Sequence, residues 1–274
     1  MKHEIDTSNA SEAFREYTAN YDKDNINILL KIVHSHRVAN MTGIYAIAIH
    51  GIDFEFFWLL GLLHDIGRFE QMKQYGTFVD VESVDHAELG ADILFKDGLI
   101  KKFVPDLYEF RQVAETAIRL HNKFKIPDNL EPQTDLYTKA LRDVDKIDIF
   151  RVLTEPPFED KYTDEKLQGL PVREEVMQCV MEHRCVPRAR KQQEFNALEK
   201  LISQCCMAFE LEFDLSKAIA ANEGFLKKLL NKKPKELAVI KREIKKAWGT
   251  PRIFYKGVNC FEQFEGLGKV DLTH

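Results

Sequence analysis

Residues 54–68 read FEFFWLLGLLHDIGR. A helix built from this run is apolar on almost every side, so it has no face for solvent and belongs at the centre of a helical fold. The run ends in His64 and Asp65, a ring and a carboxylate that are costly to bury without partners. Asp53 stands where it can cap the start, and Gly67 where it can stop the helix after Asp65.

Working outward, a long helix is expected from Asn27 to Ile49, ending before Gly51, after a helical or partly ordered lead-in. Beyond the central run, a polar and aromatic loop is expected from Arg68 to Asp80, with Ser83 capping a helix that carries His86 through Phe95. Further helices are expected from Asp106 to His121 and from Pro132 to Leu153, where Pro156 and Pro157 break the chain. Residues 172–248 return to a helical pattern with breaks at Pro187, Gly224 and Pro234, and the last stretch, with Gly257, Gly266 and Gly268, reads as irregular. Strand signals are weak throughout, so the expected class is all-α, with residues 1–153 as one unit and 154–274 as a mainly helical extension packed on it.

Helical phase then picks out polar groups that sit on apolar faces. His34 shares a stripe with Leu30, Val33, Val38, Met41 and Tyr45, whereas His36 points to the opposite side. His86 aligns with Gly90, Ile93 and Leu94, and His121 with Phe110, Ala114, Ala117 and Ile118. Asp145 lies at the edge of the stripe formed by Leu136, Ala140, Leu141, Val144 and Ile147, and Asp148 lies inside it. Arg142 and Lys146 project away from that stripe and read as surface residues, and His3, His36, His50, His183 and His274 read as surface or local capping residues. One histidine on an apolar stripe is usually a hydrogen-bonded core residue. Six such groups in five successive helices are better explained by a shared cation. Imidazole and carboxylate donors without thiolate suit Mn²⁺, Fe²⁺, Zn²⁺, Ni²⁺ or Mg²⁺.

Composition narrows the classes. The chain has 274 residues, 45% hydrophobic and 30% charged, which is ordinary for a soluble globular protein able to bury its own core. A net charge of −5 without a long basic run argues against duplex nucleic acid as a partner. The longest apolar stretches are too short to span a bilayer, and the first residues lack the apolar core of a secretion signal. The five cysteines are odd in number and none has a CxxC spacing, so reduced thiols in a cytoplasmic protein are expected.

The order HSHRVA, HDIG, DHAELGADIL, HNK and DVDKID resembles the HD-domain superfamily of metal-dependent phosphohydrolases, over about residues 26–153. The resemblance implies an HD-domain helical bundle with additional C-terminal helices. It implies one metal held by His34, His64, Asp65 and Asp145, and a second held by His86 and His121 with Asp65 bridging. The branch that cleaves cyclic dinucleotides has Lys after HDIG and a later GYP motif. Here Arg68 follows and no GYP occurs, and HDIGRFEQ with the later YGTF resembles a group of bacterial HD proteins.

The expected activity is hydrolysis of a small phosphate ester, nucleotides included, by a metal-activated water, with Asp65 and Arg68 in the catalytic site. Arg68 and Lys123 are candidates for gripping phosphate, Asp148 for orienting a histidine or a water, and Tyr75 and Phe78 for packing the loop. Two alternatives stay open. The same donors suit a di-iron oxygenase of the HD type, and a nucleotide-binding sensor without turnover would use the same cleft.

Overall fold

The computed structural model describes residues 5–187 and 195–249. His3, His274, Cys260 and the glycine-rich last stretch lie outside the described residues. No strand occurs among those described, and none of their helices is long and apolar enough to cross a membrane.

Helix α1 spans Thr7–Thr18, α2 Ile26–Ala48 and α3 Phe54–Leu63. The Asn25 side chain accepts from the Asn27 N–H to start α2, and Asp53 accepts from Phe56 N–H to start α3, as its position suggested. Every residue of α3 from Phe56 to Leu63 is buried, and α2 lies along it. They approach closely at Gly61, where a Cβ would stand 2.8 Å from the Ala39 Cα.

The first departure from expectation comes directly after Asp65. The chain kinks there (φ −103°, ψ 16°) and restarts as α4, Ile66–Tyr75, so Arg68 is helical and the loop contracts to residues 76–85. Ile66, Phe69 and Met72 recur at helical spacing and are all buried, an apolar face long enough to override the glycine. Gly67 is therefore not a stop. It is a contact point, since a Cβ on it would lie 2.3 Å from the His86 carbonyl oxygen and 2.6 Å from the Gly90 nitrogen. The stop is Gly76, in the left-handed region (φ 66°), whose N–H returns to Met72 O.

Helix α5 spans His86–Ala91 and runs on into a π-helical turn at Asp92–Lys96. Its cap is Asp85, which accepts from the Ala87 and Glu88 N–H groups, and not Ser83, which is used in the loop as acceptor from Gln71 and donor to Val79 O. Short α6 spans Ile100–Phe103, α7 Phe110–Leu120 and α8 Pro132–Val152. Asp106 closes a turn on Tyr108 N–H, which delays the start of α7 relative to the expected Asp106.

Helices α9 (Asp164–Leu167), α10 (Glu174–Met181), α11 (Ala197–Cys205), α12 (Asp214–Glu223), α13 (Phe225–Leu230) and α14 (Lys235–Trp248) follow. Gly224, in the left-handed region, separates α12 from α13. These helices meet α8 through buried polar groups. Asp143 accepts from Glu212 N–H at 3.0 Å and Phe213 N–H at 3.1 Å, capping α12 from a neighbouring helix because Phe213 has no side chain able to do so. Burial raises the Asp143 carboxyl to about 6 despite those bonds. The Tyr45 hydroxyl meets Ser216 Oγ at 2.6 Å.

Arg142 and Lys146 correct the sequence reading, because both are buried. Arg142 Nη1 donates to the carbonyls of Leu120, His121 and Lys123, supplying a cation to the C-terminal end of α7. Lys146 Nζ lies 3.2 Å from Glu210 Oε2. The helical wheel of α8 missed them because α12 and its approach cover a side of α8 that apolar residues alone do not mark.

The α4–α5 contact is the tightest backbone approach near the polar cluster. Gly67→Ala should destabilise the protein by roughly 2–3 kcal/mol in urea denaturation, the usual scale of forced overpacking. Unchanged stability would mean that the two helices are free to separate.

Candidate metal centre

Four imidazoles reach one point, each with its Nδ1 already used. His34, in the middle of α2, donates from Nδ1 to Asp148 Oδ2 at 2.7 Å. His86, the first residue of α5, has Nδ1 2.9 Å from both oxygens of Asp80. His64 and His121 share another device. Each follows the last residue of its helix, α3 or α7, and donates from Nδ1 to the carbonyl three residues back, Gly61 O or Ile118 O, at 2.7 Å. A helix-end carbonyl that needs a donor thus fixes the tautomer of each ring. In all four, Nε2 is left to face inward.

The inward atoms converge. His34 Nε2 lies 3.2 Å from His64 Nε2, and His86 Nε2 lies 3.1 Å from His121 Nε2. Asp65 stands between these pairs. Its Oδ2 is 3.5 Å from the Nε2 atoms of both His34 and His64, and its Oδ1 is 3.3 Å from His86 Nε2 and 3.6 Å from His121 Nε2. Asp145 Oδ1 adds to the first pair, at 3.1 Å from His34 Nε2 and 3.6 Å from His64 Nε2. The kink between α3 and α4 makes this possible. Asp65 holds the N-cap position of α4 yet caps nothing, so its carboxylate turns into the cluster.

These separations fit a cation. Metal bonds of ~2.1 Å place neighbouring donors ~3.0 Å apart at right angles and ~3.4 Å apart at tetrahedral angles. The His34–His64–Asp65, His64–His121–Asp145 and Asp65–His86–His121 groups are each close enough to hold an ion, and they are contiguous. The donors are nitrogen and oxygen, as a divalent ion of the Mn²⁺ to Zn²⁺ series accepts.

Protonation reflects the same crowding. Burial works against the Asp65 carboxylate, but Lys31 and the histidines outweigh it and hold its carboxyl well below the ordinary range. Asp145 behaves likewise, through His34 and His64. Burial and Lys31 press the His34 imidazolium down, yet Asp145 and Asp148 prevail and raise it to about 9. Burial, with Arg68 adding to it, takes His86 down to about 3, and burial lowers His64.

Other residues singled out in the sequence are placed as follows. Arg68 Nη1 donates to Gln71 Oε1, Phe78 O and Asp80 Oδ1, and its Nε is 3.6 Å from Asp65 Oδ1. The guanidinium thus ties the 76–85 loop to α4, with the Phe78 ring packed beside it. Lys123 Nζ pairs with Asp85 Oδ2 at 2.6 Å and Glu88 Oε1 at 2.9 Å. Tyr75 is exposed at the end of α4. His36 packs edge-on against Phe14, His183 pairs with Glu243, and His50 is exposed, so these three stand apart from the cluster.

Two participants were not anticipated. Lys31 Nζ lies 2.5 Å from Asp65 Oδ2. It is one turn before His34 on α2, a spacing visible in the sequence once His34 is chosen. Asp80 orients His86 across the loop, and nothing in a single sequence marks it.

Residues 32–150 match the family model for the HD domain, a stretch that encloses all six converging residues. This segment is an HD domain, a domain that implies a superfamily of metal-dependent hydrolases. No curated protein and no solved structure gives a significant match to the chain.

A cation entering the first group must displace the His34 proton. Apparent metal affinity should therefore rise with pH, by roughly tenfold per unit for one proton, and level off above about 9. The metal-free fold should show the converse. His34 binds its proton more tightly folded than unfolded, so its stabilising contribution is full below about pH 6.5 and lost as pH rises through about 9. Titration of Mn²⁺ at several pH values tests this, and a flat affinity would contradict it.

Proposed function

We propose that the chain is a binuclear metal-dependent phosphohydrolase acting on a small phosphate ester, nucleotides included. The observation that carries the reading is the Asp65 carboxylate, each of whose oxygens faces a separate pair of imidazole nitrogens. His34, His64, Asp65 and Asp145 would hold one ion, and His86, His121 and Asp65 the other. The pair would be Mn²⁺, Fe²⁺, Zn²⁺, Ni²⁺ or Mg²⁺ by donor type. When bound, two such ions supply Lewis-acid polarisation of a phosphoryl oxygen and lower the pKa of water.

The chain's own residues do the rest. Asp148, Asp80, Gly61 O and Ile118 O keep the four rings turned with Nε2 inward. Asp145 and Lys31 form the edge of the cluster that solvent reaches, with side chains 13% and 14% exposed, so a substrate would approach from that side. We assign Arg68 to positioning, since its Nη1 is spent on Asp80 and the loop and it acts through His86. Lys123, just past the C-terminal end of α7 and paired with Asp85 and Glu88, would meet a distal phosphate of the substrate.

Purified protein should release phosphate from p-nitrophenyl phosphate or from nucleotides in the presence of Mn²⁺. His64→Ala and Asp65→Asn should lower kcat/KM by at least about a thousandfold, and His36→Ala should leave it nearly unchanged. A folded His36→Ala protein that loses activity equally would overturn the residue assignment. The His86→Ala/His121→Ala double variant should retain about one ion per chain by elemental analysis. Two irons with O₂ consumption and no phosphate release would replace the hydrolase with an oxygenase.

A further inference from the structure

Lys31 sits where a buried cluster of ligand atoms already has a positive charge. It stands on α2 three residues before His34, so the helix brings both side chains to one face. Its Nζ lies 2.5 Å from Asp65 Oδ2, and this is the same oxygen that faces His34 Nε2 and His64 Nε2 at 3.5 Å. Both side chains are largely withdrawn from water, 14% and 3% exposed, so the charges act on one another with little screening. The other Asp65 oxygen is nearest to a different cation, Arg68, with Nε at 3.6 Å.

We infer that Lys31 is a resident counter-cation of the first ligand group, which holds Asp65 in place without metal and has to yield when a metal binds, thereby setting the affinity of that site. A divalent ion bonded to Asp65 Oδ2 would stand within ~5 Å of an ammonium still in contact with the same oxygen, a strongly unfavourable pairing at low dielectric. Lysine suits the role because its flexible stem lets the charge withdraw, which the planar, pre-organised fork of arginine does less readily. The inference rests on His34, His64, Asp65 and Asp145 being ligands and is independent of the substrate.

The experiment uses the full chain, wild type and the variants Lys31→Met, Lys31→Gln and Lys31→Arg. Two readouts are needed: Mn²⁺ affinity by competition with a fluorescent chelator, and the Tm of the metal-free and Mn²⁺-saturated forms. Lys31→Met and Lys31→Gln should bind Mn²⁺ at least about tenfold more tightly, with a lowered metal-free Tm that Mn²⁺ restores. Lys31→Arg should bind no more tightly than wild type. Lys31→Gln keeps an N–H donor for Oδ2 and separates charge from packing. If either uncharged variant is unfolded without metal, refolding on Mn²⁺ supports the role and failure to refold overturns it. Affinity equal to or weaker than wild type in both uncharged variants overturns it while leaving the ligand assignment intact. A wild-type chain that binds no Mn²⁺ overturns both.

Discussion

Five buried or nearly buried groups surround Asp65, and each turns a ring nitrogen or a carboxylate oxygen toward the others. His34 and His64 approach to 3.2 Å and His86 and His121 to 3.1 Å, with Asp145 closing one side. Such a cluster cannot persist without positive charge. In the chain alone, the charge comes from the His34 proton, Lys31 and Arg68. The surrounding fold is arranged so that this crowding is held and not relieved. All four rings are locked from the far side by an acceptor on Nδ1, and α3, which ends at the cluster, is buried and apolar from Phe56 to Leu63.

Two of the rings depend on helix ends, and the rest of the structure serves those ends. His64 and His121 satisfy a terminal carbonyl of their own helices while presenting Nε2. Arg142 then takes the Leu120 and His121 carbonyls at the end of α7, and so α8 fixes the position of His121 as well as supplying Asp145 and Asp148. The later helices connect to the same scaffold. Asp143 caps α12, and Glu223 on α12 reaches Arg151, whose Nε lies 3.8 Å from the Asp148 carboxylate that orients His34. The extension is thereby three polar contacts away from a ring of the cluster.

Much of this was legible because helical phase is a strong constraint. His34 and not His36, His86 with Gly90, His121 with Ala117: these choices follow from 100° per residue and an apolar stripe, and the structure gathers the chosen residues. The cap at Asp53 follows from position and chemistry. What failed did so for identifiable reasons. Glycine commonly terminates a helix, yet at Gly67 the lack of a Cβ is used for contact with α5. The apolar spacing of Ile66, Phe69 and Met72 runs across that glycine and outweighs its weak helix propensity. Arg142 and Lys146 were placed outside because a helical wheel knows only one helix, and α8 is covered on more than one side. Lys31 stands one turn before His34, a spacing that carries meaning only once Asp65, 34 residues on, is known to face it, and Asp80 lies in a loop without periodicity.

The central claim is that Asp65 bridges two ions. It is tested most directly by crystals grown with Mn²⁺ and measured for anomalous scattering at the manganese edge. Two peaks should appear on either side of the Asp65 carboxylate, ~3.5–4 Å apart as in two-metal sites, one against His34, His64 and Asp145 and the other against His86 and His121. A single peak, or peaks that leave one Asp65 oxygen without a metal, would contradict the account.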